Sequence, residues 1–163
     1  TFSADVSAET LRHTTLGDLA IAAPVNLEKA ITANTRLGGH FVSGHVDGVA
    51  SIIERREEAR SVFFRVAVPA PLAKYIAKKG SVCVNGVSLT VNDVTDNEFD
   101  LNIVPHTLDV TTMSDFQQGT KVNIEVDIIA RYLERLLLGE NAIEKDDVPI
   151  TMEMLAKSGF SAK

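Results

Sequence analysis

The chain repeats itself once. Residues 2–28, FSADVSAETLRHTTLGDLAIAAPVNLE, align without gaps on residues 99–125, FDLNIVPHTLDVTTMSDFQQGTKVNIE. The identities are Phe2/Phe99, Thr10/Thr107, Leu11/Leu108, Thr14/Thr111, Thr15/Thr112, Asp18/Asp115, Val25/Val122, Asn26/Asn123 and Glu28/Glu125. These nine matches in 27 positions compare with roughly two for random pairing at average composition. The offset of 97 residues is domain-sized and far longer than a solenoid repeat, so a duplicated domain is expected. On that reading residues 1–28 are the end of a first copy, 29–127 a complete second copy, and 128–163 a helix and tail. The chain opens on Thr1 rather than Met, in what reads as a strand, which suggests a chain cut inside its first copy.

Within the complete copy, short runs alternate in period two between turn residues, the pattern of antiparallel strands with one buried face. In 121–127, KVNIEVD, Val122, Ile124 and Val126 point inward, and Lys121, Asn123, Glu125 and Asp127 outward. In 98–104 the inward set is Phe99, Leu101 and Ile103; in 87–94 it is Val87, Leu89 and Val91, leaving Ser88, Thr90 and Asn92 outside. Asn85-Gly86 between two valine-rich runs is a hairpin signal, because both central residues of that turn need positive φ. Further strands are expected at 44–54 and 61–68, joined by a charged solvated turn, Arg55 to Arg60. A short helix is expected at 72–79, ended by Gly80. Six short strands with one connecting helix predict an all-β fold, a small Greek-key barrel whose closure removes exposed edges.

After the barrel, Ile128 to Leu138 reads as an amphipathic helix with Ile129, Tyr132, Leu133, Leu136 and Leu137 along one side. That stripe suits either the chain's own barrel or other subunits. A last helix at 151–157 is the one pattern in the tail.

Composition narrows the function. The 163 residues are 45% hydrophobic and 23% charged, which excludes disorder and disulfide scaffolds. No run approaches the roughly 20 apolar residues of a membrane span, and no charged-then-apolar leader opens the chain, so a cytoplasmic location without membrane partners is expected. The single Cys83, between two valines, reads as a core residue rather than a nucleophile. A net charge of -6 and the absence of Trp argue against a nucleic-acid partner.

Two clusters carry candidate chemistry. Gly38-Gly39-His40-Phe41-Val42-Ser43-Gly44-His45 places two His among three Gly. No Cys pair or H-E-x-x-H motif completes a metal site, so none is expected. The glycines read either as turn residues or as allowing close backbone approach, with one His near neutral pH for proton transfer. Ser88, Thr90, Val104 and Asp127 share outward faces. That is ordinary for a wet sheet surface, but a site built from them would lie outside the barrel and need a second surface to close it.

LGGHFVSGHVDG (37–48), KYIAKKG (74–80), NGVSLTV (85–91), VPHTLDVTT (104–112), VNIEVD (122–127) and, in the first copy, ETLRHTTLGDL (9–19) resemble the α subunit of the riboflavin synthases. The likeness covers about residues 2–138. It implies two similar six-stranded barrels and a C-terminal helix through which subunits form a homotrimer. The implied reaction needs no cofactor or metal. One 6,7-dimethyl-8-ribityllumazine passes a four-carbon unit to another, giving riboflavin and 5-amino-6-ribitylaminouracil, with the site between the N-terminal barrel of one subunit and the C-terminal barrel of the next. The resemblance implies a substrate-binding set of Gly44, His45, Val46, Lys79, Ser88, Leu89, Thr90, Ile103, Val104, Pro105, His106, Thr107 and Asp127, with Asp5, Val6, Ser7, Ala8, Glu9 and Thr10 from the first copy. His45 would assist proton transfer and Ser88 position or activate a nucleophile or water, these two being catalytic. Thr90 and Val104 would hold the ring, and Asp127 and Lys79 would approach from neighbouring elements or chains. Asn85 stands where some relatives place an acidic residue, and His106 where the first copy has Glu9. Most of the first barrel lacks a counterpart, so this chain is expected to bind ligand better than it catalyses. A non-catalytic lumazine- or flavin-carrying module is the alternative. A reductase-type flavin barrel is disfavoured by the absence of R-x-Y-[ST].

Overall fold

The computed structural model of the chain describes residues 1–139; the helix expected at 151–157 lies outside them. All strands belong to one unit, Thr1–Arg131. They are β1 (Gly48–Glu58), β2 (Ser61–Ala67), β3 (Ser81–Val84), β4 (Val87–Thr90), β5 (Asp93–Thr95), β6 (Glu98–Ile103) and β7 (Lys121–Val126). Every pairing is antiparallel, in the order β4-β3-β7-β1-β2-β6-β5.

The two outermost strands of that order, β4 and β5, are successive halves of one run. Val91 N donates to Gly80 O at 3.0 Å, on the β3 side, and Asn92 N donates to Asp100 O at 2.8 Å, on β6. The sheet therefore returns on itself through the bend at Val91–Asn92, and the expected strand 87–94 is found as two. A strand that closes a small, strongly sheared barrel cannot stay straight against both neighbours, so it bends and changes partner midway.

Inside, the alternation holds as read. Phe64, Val66, Phe99, Leu101, Val122 and Ile124 are at most 1% exposed, each burial contributing about 1.5–3 kcal/mol. Leu72, Ile76, Met113 and Phe116 join them from the connections, with the Phe116 ring edge-on to Phe64 at 6.2 Å. The Asn85–Gly86 turn has φ of 46° and 82°, as its hairpin requires.

Several boundaries differ from the sequence reading. The charged run 55–60 is not a loop. Arg55, Arg56, Glu57 and Glu58 continue β1 opposite Phe64, Phe63, Val62 and Ser61, and the turn shrinks to Ala59 and Arg60. The Arg56 guanidinium lies 3.3 Å from the centre of the Phe63 ring, so the charged group itself stacks on the aromatic face while it pairs with Glu54 and stays partly exposed. The expected helix 72–79 is one turn, α2 (Ala70–Ala73), with Pro69 at its N-cap and Pro71 in the turn, followed by separate turns. No strand forms over residues 1–7, because extended backbone becomes a strand only beside a partner that takes its hydrogen bonds.

The offset of 97 reappears in three dimensions. Helix α1 (Ala8–His13) with its following 3-10 turn Thr15–Asp18 matches α3 (Pro105–Val110) with Thr112–Asp115. The joining residues Thr14 and Thr111 have φ of -132° and -131°, and their hydroxyls donate to Thr10 O and Thr107 O. The two segments also grip each other reciprocally. Thr15 N donates to Asn123 Oδ1 and Thr112 N donates to Asn26 Oδ1, both at 2.8 Å. Each contact is the other shifted by one repeat, the mark of a local two-fold relation. Helix α4 (Ile128–Leu138) follows β7, with its apolar stripe as expected.

Candidate functional site on the outer barrel face

In antiparallel strands, directly opposed residues share a face. Cys83 on β3 opposes Ser88 on β4 and Glu125 on β7, so Glu125, Cys83 and Ser88 form a row across the outside of the barrel. Residues 39–45 cross this row as a strap pinned at both ends. At the β4 end, His40 N donates to Ser88 Oγ at 3.2 Å, and His40 Nδ1 lies 2.7 Å from the same oxygen. At the β7 end, Ser43 N and Ser43 Oγ donate to Glu125 Oε1 at 2.6 and 2.8 Å, and Gly44 N donates to Oε2 at 3.0 Å. His45 Nδ1 is 3.0 Å from Ser43 Oγ.

The strap explains why β1 begins at Gly48 rather than at 44: residues 44–47 are still arriving from the outer face. Asp47 fastens their end, accepting from Val126 N at 2.7 Å through Oδ2 and pairing with Arg131 through Oδ1. Gly39 explains how the strap lies so low. A Cβ on that residue would sit 2.2 Å from Ser88 Oγ, a distance no side chain tolerates. The close approach open to these glycines is thus, at Gly39, an approach to the chain's own serine.

The strap changes the exposure of one outward residue without changing its orientation. Glu125 was expected on the wet side of β7; it does face outward, but under the strap it is 6% exposed. A carboxylate survives such burial only with donors, and three strap groups supply them. Cys83 is covered as well. Burial pushes its thiol up to about 12, the charges of Glu125 and Glu28 adding to the effect and a hydrogen bond with the Gly86 backbone opposing it, so at neutral pH it is no nucleophile.

The other residues singled out from sequence fall into three groups. Gly44 and His45 are exposed and Val46 is half-buried at the end of the strap. On β4, Ser88 is under His40 and Thr90 is exposed, whereas Leu89 packs against the core and offers a ligand only its backbone. The hairpin directs the Leu89 and Val91 backbone toward β3, so Ser88 and Thr90 turn theirs to the opposite edge. Around α3, Ile103 is 2% exposed in the core, while Val104 is the exposed N-cap position, followed by Pro105, His106 and Thr107 on the first turn.

Lys79 sits at a turn with φ of 65°, its N–H bonded to Val91 O. Asp127 caps α4 by accepting from Ile129 N at 2.9 Å. In the first copy, Asp5 and Val6 precede Ser7, which caps α1 by accepting from Thr10 N at 3.1 Å; Ala8 opens the helix, and Glu9 is paired with Arg12 and His13.

Three residues of this arrangement lie outside the implied site set: His40, Ser43 and Glu125. Of the two cluster histidines the resemblance selects His45, yet His40 is the imidazole on Ser88, and its Nε2 is buried with no protein partner. Alternation puts Glu125 only on the outward face. The glycine-histidine cluster was the available signal for His40; nothing local marked Glu125, since its burial depends on a segment some 80 residues earlier in the chain. Among the described residues no group of three or more His, Cys, Asp or Glu side chains is placed to hold a metal ion, and no helix is long and apolar enough to cross a membrane.

Residues 43–127 match the family model described as "Lumazine binding domain". The chain is 52% identical to the riboflavin synthase of Photobacterium phosphoreum, 45% to that of Photobacterium leiognathi and 42% to that of Bacillus subtilis (strain 168). Each alignment covers 98% of this chain and 72–74% of the relative. Among solved structures, LumP complexed with 6,7-dimethyl-8-(1'-D-ribityl) lumazine superposes with a TM-score of 0.64 at 24% identity, over 72% of this chain and 63% of that one. LumP complexed with riboflavin gives 0.66 at 25%, over 72% and 64%. The chain thus spans under two thirds of those solved structures, and the likeness to them is one of fold.

Proposed function

Because the chain belongs to the riboflavin synthase family, a family of enzymes, we propose that its outer-face site binds 6,7-dimethyl-8-ribityllumazine. The protein then carries out the dismutation of two such molecules into riboflavin and 5-amino-6-ribitylaminouracil. The carrying observation is the meeting of two distant motifs, GGHFVSGHVDG and NGVSLTV, at the hydrogen bond between His40 and Ser88. A buried, partnerless imidazole nitrogen beside it is a costly feature in a finished core and a reasonable one in a ligand site.

The chemistry asked of these residues is modest. Four carbons leave one lumazine and join the other with no net oxidation, so the protein must bind, orient and move protons. The C7 methyl of lumazine is acidic, and His45 assists its deprotonation. Ser88, its hydroxyl fixed by His40, positions the attacking group. The backbone of Ser88 and Thr90 on the open β4 edge matches the donor and acceptor edge of a pyrimidine. Val104 to Thr107 flank the ring, Leu89 and Ile103 act through backbone, and Asp127 and Lys79 take the ribityl chain. Gly44 and Val46 shape the strap end, and residues 5–10 belong to the equivalent set of the first copy. Much of the rate comes from holding two heterocycles face to face. The domain limits 1–28, 29–127 and 128–163 belong to the same proposal, as do a cytoplasmic location and a homotrimer built on the apolar stripe of α4. A module that only carries the chromophore is the second reading; the 42–52% identity to synthases favours the enzyme.

The test is incubation with 6,7-dimethyl-8-ribityllumazine, without added cofactor, followed by riboflavin fluorescence. Riboflavin is expected, and His45→Ala and Ser88→Ala should each lower turnover at least tenfold. Bound lumazine with no riboflavin would point to the carrier; both variants remaining within about twofold of the parent would remove the assigned roles.

A further inference from the structure

We infer that Glu125 is a positioning residue that, through Ser43, fixes which nitrogen of His45 carries the proton. A serine hydroxyl has one hydrogen to give. That of Ser43 is given to Glu125 Oε1 at 2.8 Å, where an ionised carboxylate can only accept. The same Ser43 oxygen lies 3.0 Å from His45 Nδ1. With its hydrogen committed, Ser43 Oγ can serve that nitrogen only as an acceptor, so the neutral imidazole carries its proton on Nδ1. His45 then presents Nε2 as an unprotonated base. The arrangement is a carboxylate–hydroxyl–imidazole relay, the far group setting the tautomer of the near one as orienting groups do for other catalytic histidines.

The geometry keeps this relay rigid. Oε1 also accepts from Ser43 N at 2.6 Å and Oε2 from Gly44 N at 3.0 Å, so the carboxylate holds the backbone on either side of the hydroxyl it orients. Glu125 is only 6% exposed, which shields its carboxylate from water that would otherwise compete for the Ser43 hydrogen. The relay explains why a carboxylate stands at this buried position, where an amide would turn a donor toward an N–H group of the strap.

The use of Nε2 as the base for lumazine deprotonation rests on the function proposed above; the tautomer itself does not, and the experiment separates them. In protein labelled with 15N at histidine, long-range proton–nitrogen correlation at a pH where the imidazole is neutral reads the tautomer directly, with His45→Gln assigning the signals. The parent should show His45 protonated on Nδ1. Ser43→Ala, which leaves the Glu125 charge in place, should move it toward the Nε2-protonated form; Ser43→Thr, which keeps a hydroxyl, should restore the parent spectrum. In turnover, Ser43→Ala and Glu125→Gln should lower kcat about tenfold with KM changed less than about threefold. A parent His45 protonated on Nε2, or a tautomer indifferent to Ser43→Ala, overturns the relay even if the protein makes riboflavin. A parent Nδ1 tautomer lost in Ser43→Ala upholds it even if lumazine is never bound. Should Glu125→Gln fail to fold, the Ser43 pair decides alone.

Discussion

Cys83 shows how much a single position on the outer face depends on the strap above it. In the unfolded chain its thiol titrates near 9, and in the fold it is pushed up to about 12, first by burial and then by Glu125 and Glu28. The folded form is thus the one that holds the proton longer. Its contribution to stability is whole below about pH 9 and drains away as the pH rises toward 12. Denaturant unfolding followed across that window should show the parent losing stability more steeply than Cys83→Ala; parallel curves would mean the thiol is not shielded as described. That Cys83 is no nucleophile was legible from its apolar run, but the run suggests a core residue, whereas Cys83 lies on the outer face between the core residues Val82 and Val84 and is buried there. That Glu125 is buried was not legible, because alternation assigns faces and says nothing of what later covers them. His40 and His45 were visible as a pair, but their division of labour depends on Ser88 and Ser43, distances that no spacing encodes.

Among elements, the strands were legible wherever apolar residues alternate, as in β6 and β7. The charged end of β1 was not, because its arginines lie on a paired strand and stack on Phe63 and Phe64 rather than leaving the sheet. The short first-copy segment is held by tertiary contacts instead of by a sheet of its own. Asn26 is its main clasp, accepting from Thr112 N and donating to Asn85 O, both at 2.8 Å. Two partly buried hydrogen bonds of this kind are worth roughly 1–3 kcal/mol together. Asn26→Ala should therefore free residues 8–18 while leaving the barrel closed. Hydrogen exchange would show this as faster exchange in α1 and unchanged protection in β2 and β6; equal protection of α1 in both proteins would contradict the clasp.

For the whole molecule, the repeat was the most informative property of the sequence, and it proved to be a structural relation as well as a textual one. The matched helices, capping threonines and exchanged asparagine contacts keep the same offset. The barrel was legible as an expectation from strand count, but its means, a single strand bent at Val91–Asn92 and shared between β3 and β6, depended on hydrogen bonds that only the fold supplies, and the bend leaves the β4 edge at Ser88 and Thr90 without a strand partner, against the expected loss of edges. The site follows from both: a closed barrel gives a rigid outer face, and a glycine-rich strap laid over that face gives it polar groups with fixed roles. The central claim is that this face is a lumazine site, and the direct measurement is an equilibrium titration of 6,7-dimethyl-8-ribityllumazine with the protein, followed by ligand fluorescence. Saturable binding near one ligand per chain, weakened about tenfold or more by Ser88→Ala in a variant that remains folded, is the expected result. No saturable binding by the folded parent, or binding indifferent to Ser88→Ala, would contradict it.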